Sequence, residues 1–266
     1  PLACMADTNS GLVGEALLLV FVLPALSRVF FATPPFQLRP HHLTRDIELR
    51  LALILGMIVP VLLFLRHWVG ALDVGTPETL QTALRALWGG VFTAISFLST
   101  TGFESADWVT AQDWSGLSTP GMILMGLALV GGGVATTAGG VKLLRVYALY
   151  LNGLREVERL VHPSSVSGET EMGGRIRRDG QIIAWVFFML VAVALAVVTV
   201  GLGFMGIHFE DAMLLAVASV TNTGPLVAAV AEMLLDLAAA PAGVKLWLAV
   251  AMVLGRLELL AIIVLL

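Results

Sequence analysis

Two short clusters hold most of the chemistry that can be read in this chain: Ser99-Thr100-Thr101-Gly102-Phe103 and Thr221-Asn222-Thr223-Gly224-Pro225. Their side chains form no nucleophile–base pair. What both clusters offer is backbone. An extended segment of this kind turns its carbonyl oxygens toward an axis, and a glycine reaches angles closed to other residues while keeping that axis clear. Rings of such carbonyls replace the water shell of a dehydrated monovalent cation. A single Thr-Thr-Gly reads equally well as a turn between two tilted helices. Two copies, with Gly102 and Gly224 standing 122 residues apart behind short apolar stretches, favour the cation reading. His41, His42, His67, His162 and His208 lack ligand spacing, and no catalytic pairing stands out, so neither an enzyme nor a bound cofactor is expected.

The elements that carry these clusters must lie in a membrane. Of the 266 residues, 58% are hydrophobic and 13% are charged, against about 25% charged in soluble domains. Several stretches run uncharged for the ~20 residues that a helix needs to cross a bilayer core. Cys4 is the only cysteine, which excludes an internal disulfide, and the net charge of −4 carries no nucleic-acid footprint. Pro1 stands where an initiator methionine would, and Leu266 falls inside an apolar run, so the chain is expected to be a piece of a longer one.

Candidate spans cover 12–31, 51–72 (with Arg66 placed to snorkel), 116–154, 180–207 and 244–266; the stretches 82–103 and 212–231 end in or contain the two clusters. The segments 28–50 and 142–179 hold eleven of the fifteen Lys and Arg residues, whereas 104–113 and 206–236 hold only acids. The positive-inside rule sets the first pair in the cytoplasm and the acidic pair outside. The stretches 82–103 and 212–231 then enter and leave on the same face. Irregular backbone at that depth survives only against protein or water, so two such reversals imply a lined cavity. A helix entering from outside also points its C-terminal partial negative charge at the membrane centre, which favours a cation.

Inside 116–154 the chain is interrupted by Gly131-Gly132-Gly133-Val134-Ala135-Thr136-Thr137-Ala138-Gly139-Gly140. Each glycine weakens a helix by about 1 kcal/mol relative to alanine, so this segment is expected to have two nearly balanced arrangements. Lys142 follows it at once and reads either as a snorkelling interfacial lysine or as part of the break. Arg256 sits near mid-span, where a charge costs ~3 kcal/mol unless a cavity receives it, and is read as facing the pore. Trp88, Trp108, Trp114 and Trp185 fit interfacial anchoring.

The runs FLSTTGFESADW (97–108), GGGVATTAGGVKLLRV (131–146), SVTNTGPL (219–226) and MVLGRLELL (252–260) resemble the Trk/Ktr/HKT superfamily of potassium transporters, over nearly everything after Leu51. Members carry four consecutive helix–pore loop–helix repeats, and this chain resembles the third and fourth. The resemblance implies an all-α integral membrane fold: a transmembrane helix of a preceding repeat with a cytoplasmic linker (1–50), a third-type pore repeat (51–160) and a fourth-type one (161–266). It implies that Thr100, Thr101, Gly102 and Phe103 form one quarter of a selectivity filter and Asn222, Thr223, Gly224 and Pro225 another. K⁺ would bind the carbonyls of Thr100, Thr101, Gly102, Asn222, Thr223 and Gly224. Gly131, Gly132, Gly133, Thr136, Thr137, Gly139, Gly140 and Lys142 would form a gate beneath the filter, with Arg256 near it. The implied activity is K⁺ uptake across a bacterial inner membrane by a multi-pass homodimer working with a cytosolic nucleotide-binding regulatory subunit, for which the basic 142–179 segment offers a docking surface. Two other readings stand beside it: a complete two-loop cation channel subunit that dimerises, and a secondary transporter with broken helices. The latter calls for inverted repeats, whereas the charge pattern sets both copies the same way up.

Overall fold

A computed structural model describes residues 11–26, 46–70, 80–116, 121–134, 136, 138–161, 171–230 and 240–256. The described chain is all-α. It comprises α1 (Gly11–Val22, followed by a 3-10 turn over Leu23–Leu26), α2 (Ile47–Gly70), α3 (Leu80–Leu98), α4 (Trp108–Ser115) and α5 (Gly121–Val130). Then come α6 (Leu143–Val161), α7 (Glu171–Phe204), α8 (Phe209–Val220), α9 (Leu226–Val230) and α10 (Ala242–Arg256).

Local chemistry accounts for the boundaries. The α-helical part of the first span stops where Pro24, which lacks an N–H, falls in the 3-10 turn; residues 27–31 of that expected span lie outside the described residues. Asp46 caps α2 by accepting the Glu48 N–H at 3.2 Å. Among the described residues, Ile47–Arg66 (20 residues, mean hydropathy 2.3) and Gly180–Phe204 (25 residues, mean hydropathy 2.8) are the helices long and apolar enough to cross a membrane. Both turn large apolar side chains such as Leu62 and Val193 outward, as lipid-facing spans do.

The two copies repeat one arrangement. α3 packs against α2 and α5, and α8 packs against α7 and α10. Beyond its acidic first turn (Glu210, Asp211) α8 is largely apolar and accordingly buried, with all residues from Leu214 to Val220 enclosed. Phe97, Leu98, Leu124, Leu202 and Leu226 form the fully buried centre of the core.

Three features depart from the sequence reading. The acidic segment after the first cluster contains the helix α4, which ends on the left-handed Gly116 (φ 57°). Its Trp114 stacks on Phe64 of α2 at 5.6 Å, and Arg66 donates to the Gly116 carbonyl at 3.3 Å rather than only reaching for an interface. Trp108 is buried, and Trp88 turns inward to a carboxylate, so neither serves as a simple interfacial anchor.

Candidate functional site

The two Thr/Gly loops leave their helices by the same set of hydrogen bonds, shifted by 122 residues. The Ser99 N–H donates to Ile95 O and the Thr221 N–H to Val217 O, both at 2.9 Å. The Thr100 N–H reaches Phe97 O at 3.0 Å, and the Asn222 N–H reaches Ser219 O at 3.2 Å. The Thr101 N–H reaches Ser96 O at 3.1 Å, and the Thr223 N–H reaches Ala218 O at 2.9 Å. Behind each loop lies a hydroxyl pair 3.1 Å apart, Ser99 with Thr101 and Thr221 with Thr223. Thr100 (φ 59°) and Asn222 (φ 58°) make the reversal in the left-handed region, which asparagine tolerates and β-branched threonine resists.

In the first loop these bonds fix where the carbonyls point. The N–H groups of Thr101 and Gly102 both donate to Ser96 O, at 3.1 and 3.2 Å. A trans peptide is planar, so an N–H directed back at α3 sends the carbonyl of the same unit the opposite way. The carbonyls of Thr100 and Thr101 therefore face away from the helix, and no described N–H is directed at either. The second loop keeps this for Asn222 alone. Its Thr223 and Gly224 carbonyls accept the first N–H groups of α9, from Leu226 at 3.1 Å and Val227 at 3.4 Å. Pro225 immediately precedes that helix, at an N-terminal edge where a missing N–H costs nothing. Of the six carbonyls expected to face an ion, these two thus have one lone pair already engaged.

The loops meet each other. A Cβ on Gly102 (φ 79°) would come within 2.9 Å of Thr223 Cγ2 and 3.2 Å of Pro225 Cδ, whereas one on Gly224 would meet nothing within 4 Å.

The glycine-rich break lies against both loops. Its ends are fastened by the Val141 N–H to Leu129 O and the Lys142 N–H to Val130 O, both at 2.9 Å, so the chain leaves α5 and returns to it. At its far side the Gly139 N–H donates to Thr100 Oγ1 at 2.8 Å. The same glycine lies so near the Thr221 carbonyl that no Cβ fits between them. Further ties run from the Gly133 N–H to Ala25 O at 3.2 Å and from the Val134 N–H to Glu48 Oε1 at 3.0 Å. The expected segment of two balanced arrangements is here fastened to α2, the 3-10 turn after α1 and the first loop. Thr136 Oγ1 bonds Gly133 O at 2.6 Å; Thr137 lies outside the described residues.

Lys142 does not extend to an interface. It is buried, has φ 79° and donates from Nζ to Thr136 O at 3.1 Å and to Ala138 O. Its charge is spent on the loop's own carbonyls, which holds the break compact. Arg256 is the last described residue of α10, and its side chain is exposed. The helix brings it beside the second loop: Gly255 packs on the Val220 carbonyl, and Asn222 Nδ2 donates to Met252 O at 3.1 Å.

Sequence reasoning missed Glu15, Glu48 as a tether, and Ser96. Glu15 is buried in α1 and accepts from Trp88 Nε1 at 2.7 Å, Ser105 Oγ at 2.8 Å and the Ala106 N–H at 2.7 Å. It pins the chain just after the first loop to a helix outside both repeats. Beside it, burial pushes the Glu104 carboxyl above its ordinary value, and one of its oxygens is enclosed with no hydrogen-bond partner.

Comparison with known proteins identifies relatives of the chain. The family model TrkH, described as a cation transport protein, matches residues 21–266, extending the resemblance back from Leu51. The chain is 35% identical over 189 residues to the "Trk system potassium uptake protein TrkH" of Halomonas elongata, covering 71% of this chain and 36% of that protein. It is 30% identical over 187 residues to the Escherichia coli K12 protein of the same name, covering 70% and 37%. The crystal structure of the potassium transporter TrkH from Vibrio parahaemolyticus superposes with a TM-score of 0.79 at 25% identity, over 99% of this chain and 54% of that one. The chain thus spans between about a third and a half of the length of these relatives. With a matching model along most of its length and a shared all-α membrane fold, the chain belongs to the TrkH family of cation transport proteins.

Proposed function

We propose that these residues form half of a K⁺ uptake pathway. Thr100, Thr101, Gly102 and Phe103 supply one filter strand and Asn222, Thr223, Gly224 and Pro225 another, with the remaining strands coming from outside these 266 residues. The observation that carries this reading is the shared hydrogen-bond pattern of the two loops, shifted by 122 residues. Carbonyls held in fixed directions replace an ion's water at little reorganisation cost, and this is what cation selection by backbone needs. The first strand offers the carbonyls of Thr100 and Thr101 with both lone pairs available, and that of Gly102 in line with them. The second offers Asn222 in the same way and the remaining lone pairs of Thr223 and Gly224.

The break from Gly131 to Gly140 serves as the gate, because it touches both loops from one side through Gly139. Lys142 keeps it folded, and Arg256 adds a positive charge near the end of the second pore helix. The repeats divide at 51–160 and 161–266. The assembly is a multi-pass homodimer in a bacterial inner membrane, controlled through the basic 142–179 segment by a cytosolic nucleotide-binding subunit.

The test is ion flux in the full-length transporter. Gly102→Ser should lower K⁺ over Na⁺ selectivity, since a side chain there meets the opposing loop. Unchanged selectivity in correctly inserted protein would reject the filter assignment.

A further inference from the structure

The two loops share the three bonds by which they leave their helices and differ beyond them: the Gly102 N–H also reaches Ser96 O, while the second loop bonds forward into α9. The Ser96 hydroxyl, buried on the last turn of α3, accepts the Phe103 N–H at 2.7 Å and lies 3.1 Å from Thr101 Oγ1. In the second copy the counterparts, again 122 residues on, are Ala218 and Pro225. Alanine has no hydroxyl to accept with, and proline has no N–H to donate. Acceptor and donor disappear together, so each loop is satisfied in its own way.

The bond matters because of what shares its peptide plane. The N–H of Phe103 and the carbonyl of Gly102 belong to one planar trans unit. Directing that N–H at Ser96 sends the Gly102 carbonyl away from α3, just as the two bonds to Ser96 O do for the carbonyls of Thr100 and Thr101. One residue therefore gathers three consecutive N–H groups and aims three consecutive carbonyls. In the second loop the ring of Pro225 and the first turn of α9 restrict the same stretch.

We infer that Ser96 is the positioning residue of the first strand, acting through its hydroxyl on the Gly102 carbonyl. Pro225 makes such a hydroxyl unnecessary in the second strand. This rests on the reading of the loops as a K⁺ filter.

The experiment is K⁺ and Na⁺ flux through the full-length transporter in liposomes, with insertion checked for each variant and Gly102→Ser as reference. Ser96→Ala should lower K⁺ over Na⁺ selectivity by about fivefold, the scale of one lost buried hydrogen bond, and raise the K⁺ concentration for half-maximal flux. Ala218→Ser should change neither, because no N–H awaits it. Ser96→Ala combined with Phe103→Pro copies the second loop's pairing and should recover most of the lost selectivity; it decides the matter should Ser96→Ala alone fail to insert. Parental selectivity in Ser96→Ala, an equal loss in Ala218→Ser, or no recovery in the double variant would overturn the inference. If Gly102→Ser lowers selectivity while Ser96→Ala does not, only the role of Ser96 fails. If neither changes it, the filter reading fails with it.

Discussion

The amide of Gly139 donates to the Thr100 hydroxyl across 2.8 Å, although the two residues are 39 positions apart. This bond joins the glycine-rich break to the reversal point of the first pore loop. It also gives Thr100 a reason to hold a left-handed φ of 59°, a conformation that a β-branched residue resists. One hydrogen bond therefore links the break directly to a residue of the proposed filter.

Thr100→Val keeps the shape of that side chain and removes the acceptor. Leaving a buried N–H unsatisfied costs about 1–3 kcal/mol, which weakens the seated position of the break. K⁺ flux in the full-length protein should rise by about tenfold. Selectivity should hold, because the Thr101 N–H still fixes the Thr100 carbonyl through Ser96 O. Lower flux in well-inserted protein would speak against the tie.

Removing three or four residues from 131–140, or replacing Arg256 by alanine, should likewise raise flux without altering selectivity. The shortened break cannot span from its anchors at Leu129 and Val130 to Thr100. Arg256→Ala removes a positive charge from the end of the second pore helix. If the glycines served only close helix packing, the deletion would reduce flux instead.

Much of this was legible in the sequence because glycine and threonine interrupt apolar runs that are otherwise unbroken. The two loops and the split of 116–154 into α5 and α6 followed from that alone. Glu15 was not legible: it sits within an apolar stretch, and its partners Trp88 and Ser105 lie 73 and 90 residues away. The burial of Lys142 was hidden because its partners are backbone carbonyls, which leave no side-chain pattern. The helix α4 was obscured by acids that read as an outer loop, yet Gly116 marks its end. The engagement of Thr223 and Gly224 had a visible signal in Pro225, which favours the first position of a helix.

The two loop glycines should differ in their tolerance of a methyl group. Gly102→Ala forces a side chain into φ 79° and against Thr223 Cγ2 at 2.9 Å, and the conformation alone costs about 1–2 kcal/mol. Gly224→Ala meets no atom of this chain within 4 Å. Thermal unfolding of the full-length variants should show a lowered midpoint for the first and a nearly parental one for the second. Equal shifts would contradict the packing of Gly102 on the second loop.

Glu104 gives the segment after the first loop a pH dependence. Its carboxyl is raised above 4.5 by burial, so the folded protein holds that proton more readily than the unfolded chain. The resulting stability is fully present below the ordinary carboxylate value and is lost as pH rises through the folded value. Glu104→Gln should therefore be more stable than the parent at neutral pH, with the difference shrinking on acidification. A constant difference across that range, followed by thermal unfolding, would rule out burial of the ionised carboxylate as the cause.

The most direct measurement is the position of Rb⁺ in crystals of the full-length assembly, located by its anomalous scattering. The account predicts peaks on the axis faced by the carbonyls of Thr100, Thr101, Gly102 and Asn222, with weaker ordering where Thr223 and Gly224 already bond to α9. Strong Rb⁺ peaks elsewhere in the protein, with none between these loops, would contradict it.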